Sequence, residues 1–406
     1  MSRTIPEELL TRIREGAVQR ELERILPFEQ VGWLDDVGFG ALRVPTEFGG
    51  EELSIEGLIA EVIALAEADS NIAHLYRGHF GFVESLRFQP APVRELWYAR
   101  VLKGGTVGNA STEKGGNALG SLSTRLDRDE HGAALLTGEK CYSTGTIFST
   151  YTRVSASQAQ EGEGRRFAVV PTDAAGVTLL DDWDGFGQKL TGTGTTRLDS
   201  VAVEDLAVLG RSPGDHESVH EAAFFQLYLL AVQAGIAKAA LADATSTLAR
   251  RTRTFNTSTA GQAFSQDPLI QQVVGKMSSK AFVAEAAVLQ AARTLDRALA
   301  AGLQAGTGGP EFHGEPPVQI HDAEIAVEKA QISVPELVLA VTSELFQTVG
   351  ASATLRTKAL DRHWRNAQTI ATHNPVVFRA RSLGDHEING TLPQGLNAIG
   401  EAKEKP

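Results

Sequence analysis

The chain has 406 residues, 42% apolar and 22% charged, a balance that excludes a disordered or fibrous protein and a length that calls for two or three domains. A net charge of −12 and a pI near 5.4 exclude the concentrated basic surface that duplex nucleic acid requires. The single cysteine, Cys141, excludes an internal disulfide and reads as a small strand residue, and no Cys/His spacing suggests a metal site.

Residues 1–22 are a charged mixture without an apolar core, and no run reaches the roughly 18 apolar residues of a membrane span, so a cytoplasmic protein with no membrane partner is expected. Apolar residues at helical spacing over 6–26 and 28–37 predict a helical start that ends at the glycines of 38–40. Further helices are expected over 54–70, 71–88 and 92–103, which makes residues 1–103 an all-α domain. From Gly104 the pattern shortens. Alternating runs at 120–124, 133–137, 166–170 and 195–199, separated by Gly, Asp and Asn, predict a mainly antiparallel β domain over 104–215. Helical periodicity returns over 216–391, with long segments at 222–250, 268–301, 322–349 (bent at Pro335) and 355–372, so a four-helix bundle is expected. A Gly/Pro-rich loop is expected over 307–317, and a polar tail over 392–406. The fold class is thus α+β.

Three segments in this order carry a resemblance: TVGNASTEKGG (106–116), LTGEKCYSTG (136–145) and ELFQTVG (344–350). The first two resemble the flavin-contacting β-domain segments of the acyl-CoA dehydrogenase superfamily. The third is similar to the bundle segment whose Gln and Gly approach a neighbouring subunit's cofactor. The resemblance runs from about residue 6 to 390. It implies an acyl-CoA dehydrogenase-like fold, a flavin held by Asn109, Ser111, Thr112, Ser143 and Thr144, and a role for Gln347 and Gly350 at the partner's site. The residue types suit the task, because a flavin's pyrimidine edge needs donors and acceptors that do not crowd the ring. Each is also an ordinary turn or strand-edge hydroxyl when taken singly.

The C-terminal segment RNAQTIATHNP (365–375) departs from the dehydrogenases. In most of them the Arg-Asn-Ala stretch is followed by a Tyr-Glu-Gly-Thr-like sequence whose Glu removes the substrate α-proton; here His373 and Asn374 occupy that region. Nor does the first bundle helix, over 222–238, contain an Asp or Glu to replace it. Without a positioned base, α-proton abstraction is not expected. The chain instead resembles the reduced-flavin monooxygenase branch typified by dibenzothiophene monooxygenase, in which a His follows the Arg-Asn-Ala segment, a second precedes a C-terminal Asn-Gly and a third comes from the N-terminal domain. The matches are His373, His386 in GDHEING (384–390), and His79, with His74 as the competitor for the last role. That branch implies reduced FMN, with FAD as the alternative, delivered by a separate NAD(P)H-dependent flavin reductase. It also implies O2 adding at flavin C4a to give a hydroperoxide, with Ser143 holding the flavin edge, and oxygen passing to sulfur, nitrogen or an electron-rich carbon of a small substrate.

Guanidinium groups suit phosphate. Arg253 lies where the family sets an Arg against a partner's flavin, with Arg251 a weaker match, and Arg365 matches the C-terminal Arg. The family arrangement is a homotetramer, expected here through alanine-rich faces of 222–250 and 322–349. Phe80, Phe82, Phe224, Phe225 and Phe378 are candidates for an apolar pocket, though each reads equally as core. Two other readings stay open: an acyl-CoA dehydrogenase with a displaced base, and a catalytically silent scaffold.

Overall fold

The computed structural model describes residues 5–114, 122–157, 165–210, 216–251, 258, 263–305 and 317–392. Seven helices open the chain: α1 (Glu7–Glu15), α2 (Ala17–Glu23), α3 (Phe28–Asp36), α4 (Ile55–Ala68), α5 (Ser70–Leu75), α6 (Arg77–Ser85) and α7 (Ala91–Leu102). Ser54 starts α4 by accepting from the Gly57 N–H at 3.0 Å, a side-chain N-cap. The single helix expected over 71–88 is two, broken at Tyr76, and the break sets His74 near the end of α5 and Arg77 at the start of α6.

The middle of the chain forms β1 (Val107–Ala110), β2 (Arg125–Arg128), β3 (Ala134–Lys140), β4 (Tyr151–Ala156), β5 (Arg166–Pro171), β6 (Val177–Leu179), β7 (Thr196–Val203) and β8 (Val208–Gly210). They make two four-stranded sheets, β1-β4-β5-β8 and β2-β3-β7-β6. Every pairing is antiparallel except β1 with β4. In β7 the inward alternation of Thr196 and Leu198 slips by one residue at Ser200, in left-handed backbone at φ 53°, and resumes at Val201 and Val203. Of the strand expected over 120–124, residues 120 and 121 fall outside the described residues, and the observed strand there begins at Arg125.

The C-terminal part comprises α8 (His216–Ala249), α9 (Pro268–Gln304), α10 (Val318–Val349), α11 (Asp361–Ala371) and α12 (Val376–Asn389). Pro335 lies inside α10 without ending it. The helix expected over 355–372 starts only at Asp361, after two short 3-10 turns and a left-handed Ala359 (φ 47°). The sequence reading did not anticipate α12; it begins directly after Pro375 and ends at left-handed Gly390. By length and composition α8 and α10 would each pass for a membrane span. Here α8 is the central core helix: Phe224, Leu227, Tyr228 and Val232 are buried, and it approaches α4 so closely that a Cβ on Gly235 would fall 2.5 Å from that of Ala66. α8 buries most of its length within its own chain.

Candidate active site

A cavity of ≈ 480 Å³ opens where α5, α6, the end of β1, β4, the start of α8 and the end of α11 converge. Its volume lies within the range of small-molecule and cofactor sites, about 300–1,000 Å³. One wall comes from the β domain: Asn109, Ser111 and Thr112 at the end of β1, Thr144 and Thr193, and Arg153, Arg165 and Phe167 on or beside β4 and β5. The opposite wall is helical, made of His74, Arg77, Phe225, Gln226, His373 and Asn374. Tyr142 and Trp183 also line it, their rings edge to face with centroids 5.8 Å apart.

The β wall is fixed to backbone. Ser111 Oγ donates to Asn109 Oδ1 at 3.0 Å. After β3 the chain turns through left-handed Tyr142 (φ 59°), and the Ser143 and Gly145 N–H groups donate to Gly194 O and Thr191 O, both at 2.9 Å. That pins Thr144 beside Thr193, hydroxyl to hydroxyl at 2.7 Å. Gly78 allows α6 to lie on β1, since a Cβ there would meet the Asn109 Cβ at 2.8 Å. Of the five expected flavin contacts, Asn109, Ser111, Thr112 and Thr144 face the cavity, while Ser143 points inward. Its Oγ is buried and has no hydrogen-bond partner among the described residues.

The histidines separate by environment. His74 is buried in the helical wall, with Nδ1 3.1 Å from Gln188 Oε1. Since an amide oxygen only accepts, Nδ1 carries the proton and Nε2 holds the lone pair in the neutral ring. Burial, reinforced by the nearby Arg77 charge and opposed by Gln188, brings its pKa down to about 4. Gln188 is itself held: its backbone N–H, at left-handed φ 51°, donates to Asn366 Oδ1 at 2.6 Å, and its Nε2 donates to Ser70 Oγ at 3.4 Å. His373, at the end of α11, is open to the cavity but densely surrounded by protein atoms, and its Nε2 accepts from Arg77 Nη1 at 3.4 Å. Desolvation, then the Arg77 charge, holds its pKa well below the ordinary histidine value. Both imidazoles are therefore neutral at pH 7.

His79, five residues after His74, is not in the cavity wall. Its Nε2 donates to Gly40 O at 2.7 Å and its Nδ1 accepts from the Val107 N–H at 3.2 Å, so it ties α6 to the 39–41 turn and to β1. Burial holds it near a pKa of about 4. His386 lies on exposed α12 with Nδ1 against Thr391 O at 3.1 Å, outside the cavity wall. Arg365 also lies outside it, bonded to Glu21 (2.7 Å), Asp361 (2.8 Å) and Phe186 O (2.8 Å). Gln347 and Gly350 are at the far end of α10. Arg251 donates to Val349 O at 2.6 Å there, about 39 Å along α8 from Phe225 at 1.5 Å per residue. Arg253 lies outside the described residues. Of the five candidate pocket phenylalanines, Phe225 lines the cavity, Phe80, Phe82 and Phe224 are core, and Phe378 is 66% exposed on α12.

Among the cavity residues that sequence reasoning missed are Arg153, Arg165, Phe167, Trp183, Glu221, Gln188 and Arg77. Glu221 stands one residue before the base-free stretch 222–238 and does line the cavity; it is buried and salt-bridged to Arg153. Gln188 sits in a loop without periodicity. Arg77 was legible only as a neighbour of His79.

Residues 227–378 match the acyl-CoA dehydrogenase C-terminal domain family. That match lies within the C-terminal helical part, and the chain is similar there to the acyl-CoA dehydrogenase superfamily. The chain is also similar to a probable FMNH2-dependent monooxygenase, SfnC, of Pseudomonas putida, at 27% identity over 96% of this chain and 95% of that protein. It is 28% identical to dibenzothiophene monooxygenase of Rhodococcus erythropolis, over 88% of this chain and 85% of that one. The crystal structure of FMN-bound TdsC from Paenibacillus sp. A11-2 matches with a TM-score of 0.85 at 25% identity, covering 96% of this chain and 97% of that chain.

Proposed function

We propose that this protein is a monooxygenase that uses reduced FMN and O2 to oxygenate a small substrate. The observation that carries the reading is the cavity's division into a hydroxyl-rich β wall and a helical wall with two neutral imidazoles, where a dehydrogenase keeps a free carboxylate. The residues present fit a flavin. Asn109, Ser111, Thr112 and Thr144 supply hydrogen bonds for a polar ring edge, Phe167 and Trp183 supply apolar faces, and Arg153 and Arg165 supply positive charge near a phosphate. When bound, reduced FMN supplies the two electrons that activate O2. The chain's own residues position the reactants, exclude water and manage protons. His373 presents a ring in which Arg77 takes up the Nε2 lone pair, which leaves the proton on Nδ1 beside Asn374. His74, oriented by Gln188, presents a bare Nε2 as a proton acceptor. A donor and an acceptor of this kind typically contribute about 10²- to 10⁴-fold each in rate.

Glu221 favours a second reading, an acyl-CoA dehydrogenase with a displaced base, because it places a carboxylate in the cavity wall. One of its oxygens, Oε1, accepts from Arg153 Nη1, which ties the carboxylate to a guanidinium. No nicotinamide-binding βαβ unit occurs among the described residues, so the reducing equivalents are proposed to arrive on the flavin from a separate NAD(P)H-dependent reductase. A homotetramer is proposed as well: Leu269, Phe282 and Val283 of α9 and Val377, Phe378 and Ile388 of α12 are exposed, and Gln347, Gly350 and Arg251 lie too far from this chain's own cavity to serve it. The test is turnover with a generic flavin reductase, NADH and FMN against sulfur, nitrogen and aromatic compounds. Product heavier by one oxygen supports the reading; enoyl product from acyl-CoA with Glu221→Gln inactive would replace it.

A further inference from the structure

We infer that the site binds a small organic oxyanion, and that Arg77 is the specificity-determining residue that pairs with it; the inference rests on the monooxygenase reading of the cavity. Arg77 opens α6 on the helical wall. Its Nε donates to Phe225 O at 3.1 Å and its Nη1 to His373 Nε2 at 3.4 Å, with the guanidinium carbon 4.6 Å from the centre of the Phe225 ring. Among the described residues it forms no ion pair with a carboxylate, and the acid that shares its cavity, Glu221, is bridged to Arg153. A guanidinium has five N–H donors. Two are accounted for, and those that remain are suited to the planar, two-point recognition of a carboxylate, sulfinate or sulfonate group.

The wider electrostatics point the same way. The cavity is lined by three arginines and one glutamate, with both histidines neutral, so it carries a net charge of about +2 inside a chain whose net charge is −12. A cationic cleft in an acidic protein concentrates anions. Two of those arginines, Arg153 and Arg165, belong to the β wall, with guanidinium carbons 3.9 and 5.0 Å from the Phe167 ring centre. Arg77 is on the other side, against His373. Burial, opposed by the nearby Glu221 charge, has lowered its pKa to about 10, and it remains charged at pH 7. Phe225 and Ile370 supply apolar surface for an organic tail. With a flavin ring also inside ≈ 480 Å³, that tail must be short.

The experiment is calorimetric titration of the FMN-saturated protein with methanesulfonate and acetate, and with their uncharged counterparts dimethyl sulfone and acetamide. Wild type should bind the anions at least tenfold more tightly than the neutral partners. Arg77→Gln should weaken anion binding roughly 10- to 100-fold, the range for a lost charge-assisted hydrogen bond, and leave the neutral compounds unchanged. Arg77→Lys should recover part of the preference, which shows that charge rather than folding is at issue. Equal binding of anion and neutral partner by wild type would overturn the inference. So would an Arg77→Gln variant that lost FMN affinity while keeping riboflavin affinity, since Arg77 would then serve the flavin phosphate and the monooxygenase reading would stand. Failure of wild type to bind any flavin would strike that reading instead.

Discussion

The two walls of the cavity are built on different principles. On the β wall every candidate contact hangs from strand ends and turns locked by backbone hydrogen bonds, and its uncharged groups are hydroxyls and an amide that do not titrate near neutrality. On the helical wall the candidates sit at helix ends, where one substitution changes the chemistry without disturbing a sheet. His373 and Asn374 lie at such an end, between α11 and α12, in the region where a dehydrogenase keeps its base. His74 and His79 repeat the contrast over five residues: one faces the cavity with a free nitrogen, and the other has both nitrogens bonded to backbone.

The comparison breaks most visibly at His373. His373→Ala should lower oxygenated product about 10²- to 10⁴-fold, with hydrogen peroxide rising in parallel and FMN affinity unchanged. Wild-type product with no added peroxide would reduce His373 to a helix-end residue. The His74/His79 contrast comes next. His79→Ala strands Gly40 O and the Val107 N–H, at about 1–3 kcal/mol each, and should appear as a lower unfolding midpoint in urea with near-normal turnover per folded molecule. His74→Ala should do the reverse, and matching profiles for the two variants would erase the distinction.

A pH titration of stability sharpens the same point. His74 and His79 have folded pKa values near 4, below the ordinary 6.5, so the unfolded chain takes up their protons first. The stability they confer is complete above pH 6.5 and is lost as the pH falls toward 4, by about 2 kcal/mol per histidine at pH 5. His79→Ala should flatten that slope, as measured by chemical denaturation at pH 7 and pH 5. The smallest effect is expected on the β wall. Ser111→Ala should weaken FMN by about 0.5–1.5 kcal/mol and leave product per bound flavin unchanged, read by flavin fluorescence titration against product yield.

The order of helical, β and bundle parts was legible because it rests on periodicity, which responds to burial along each element. The break at Tyr76 and the late start of α11 were not, since they depend on how α6 seats on β1 through Gly78 and on left-handed Ala359, features of packing rather than pattern. The motif stretches 106–116 and 136–145 contain Asn109, Ser111, Thr112 and Thr144, which line the cavity. They said nothing of which way a side chain turns, and so included Ser143, which points inward. Gln188, Arg77 and Glu221 come from three different segments and acquire a shared site only through the fold. Glu221, the carboxylate in the cavity wall, stands one residue outside the stretch 222–238, because the boundary of a buried helix does not mark where its cavity-facing turn begins.

As proposed, this cavity transfers one atom of O2 to a substrate rather than removing hydrogen from one. The direct measurement is product mass after turnover with reduced FMN under 18O2, using a flavin reductase, NADH and short-chain sulfinates alongside neutral sulfur and nitrogen compounds. The account predicts one 18O atom per product molecule, derived from the gas and absent when FMN is withheld. Product labelled from 18O-water, or enoyl-CoA formed without oxygen incorporation, would contradict it.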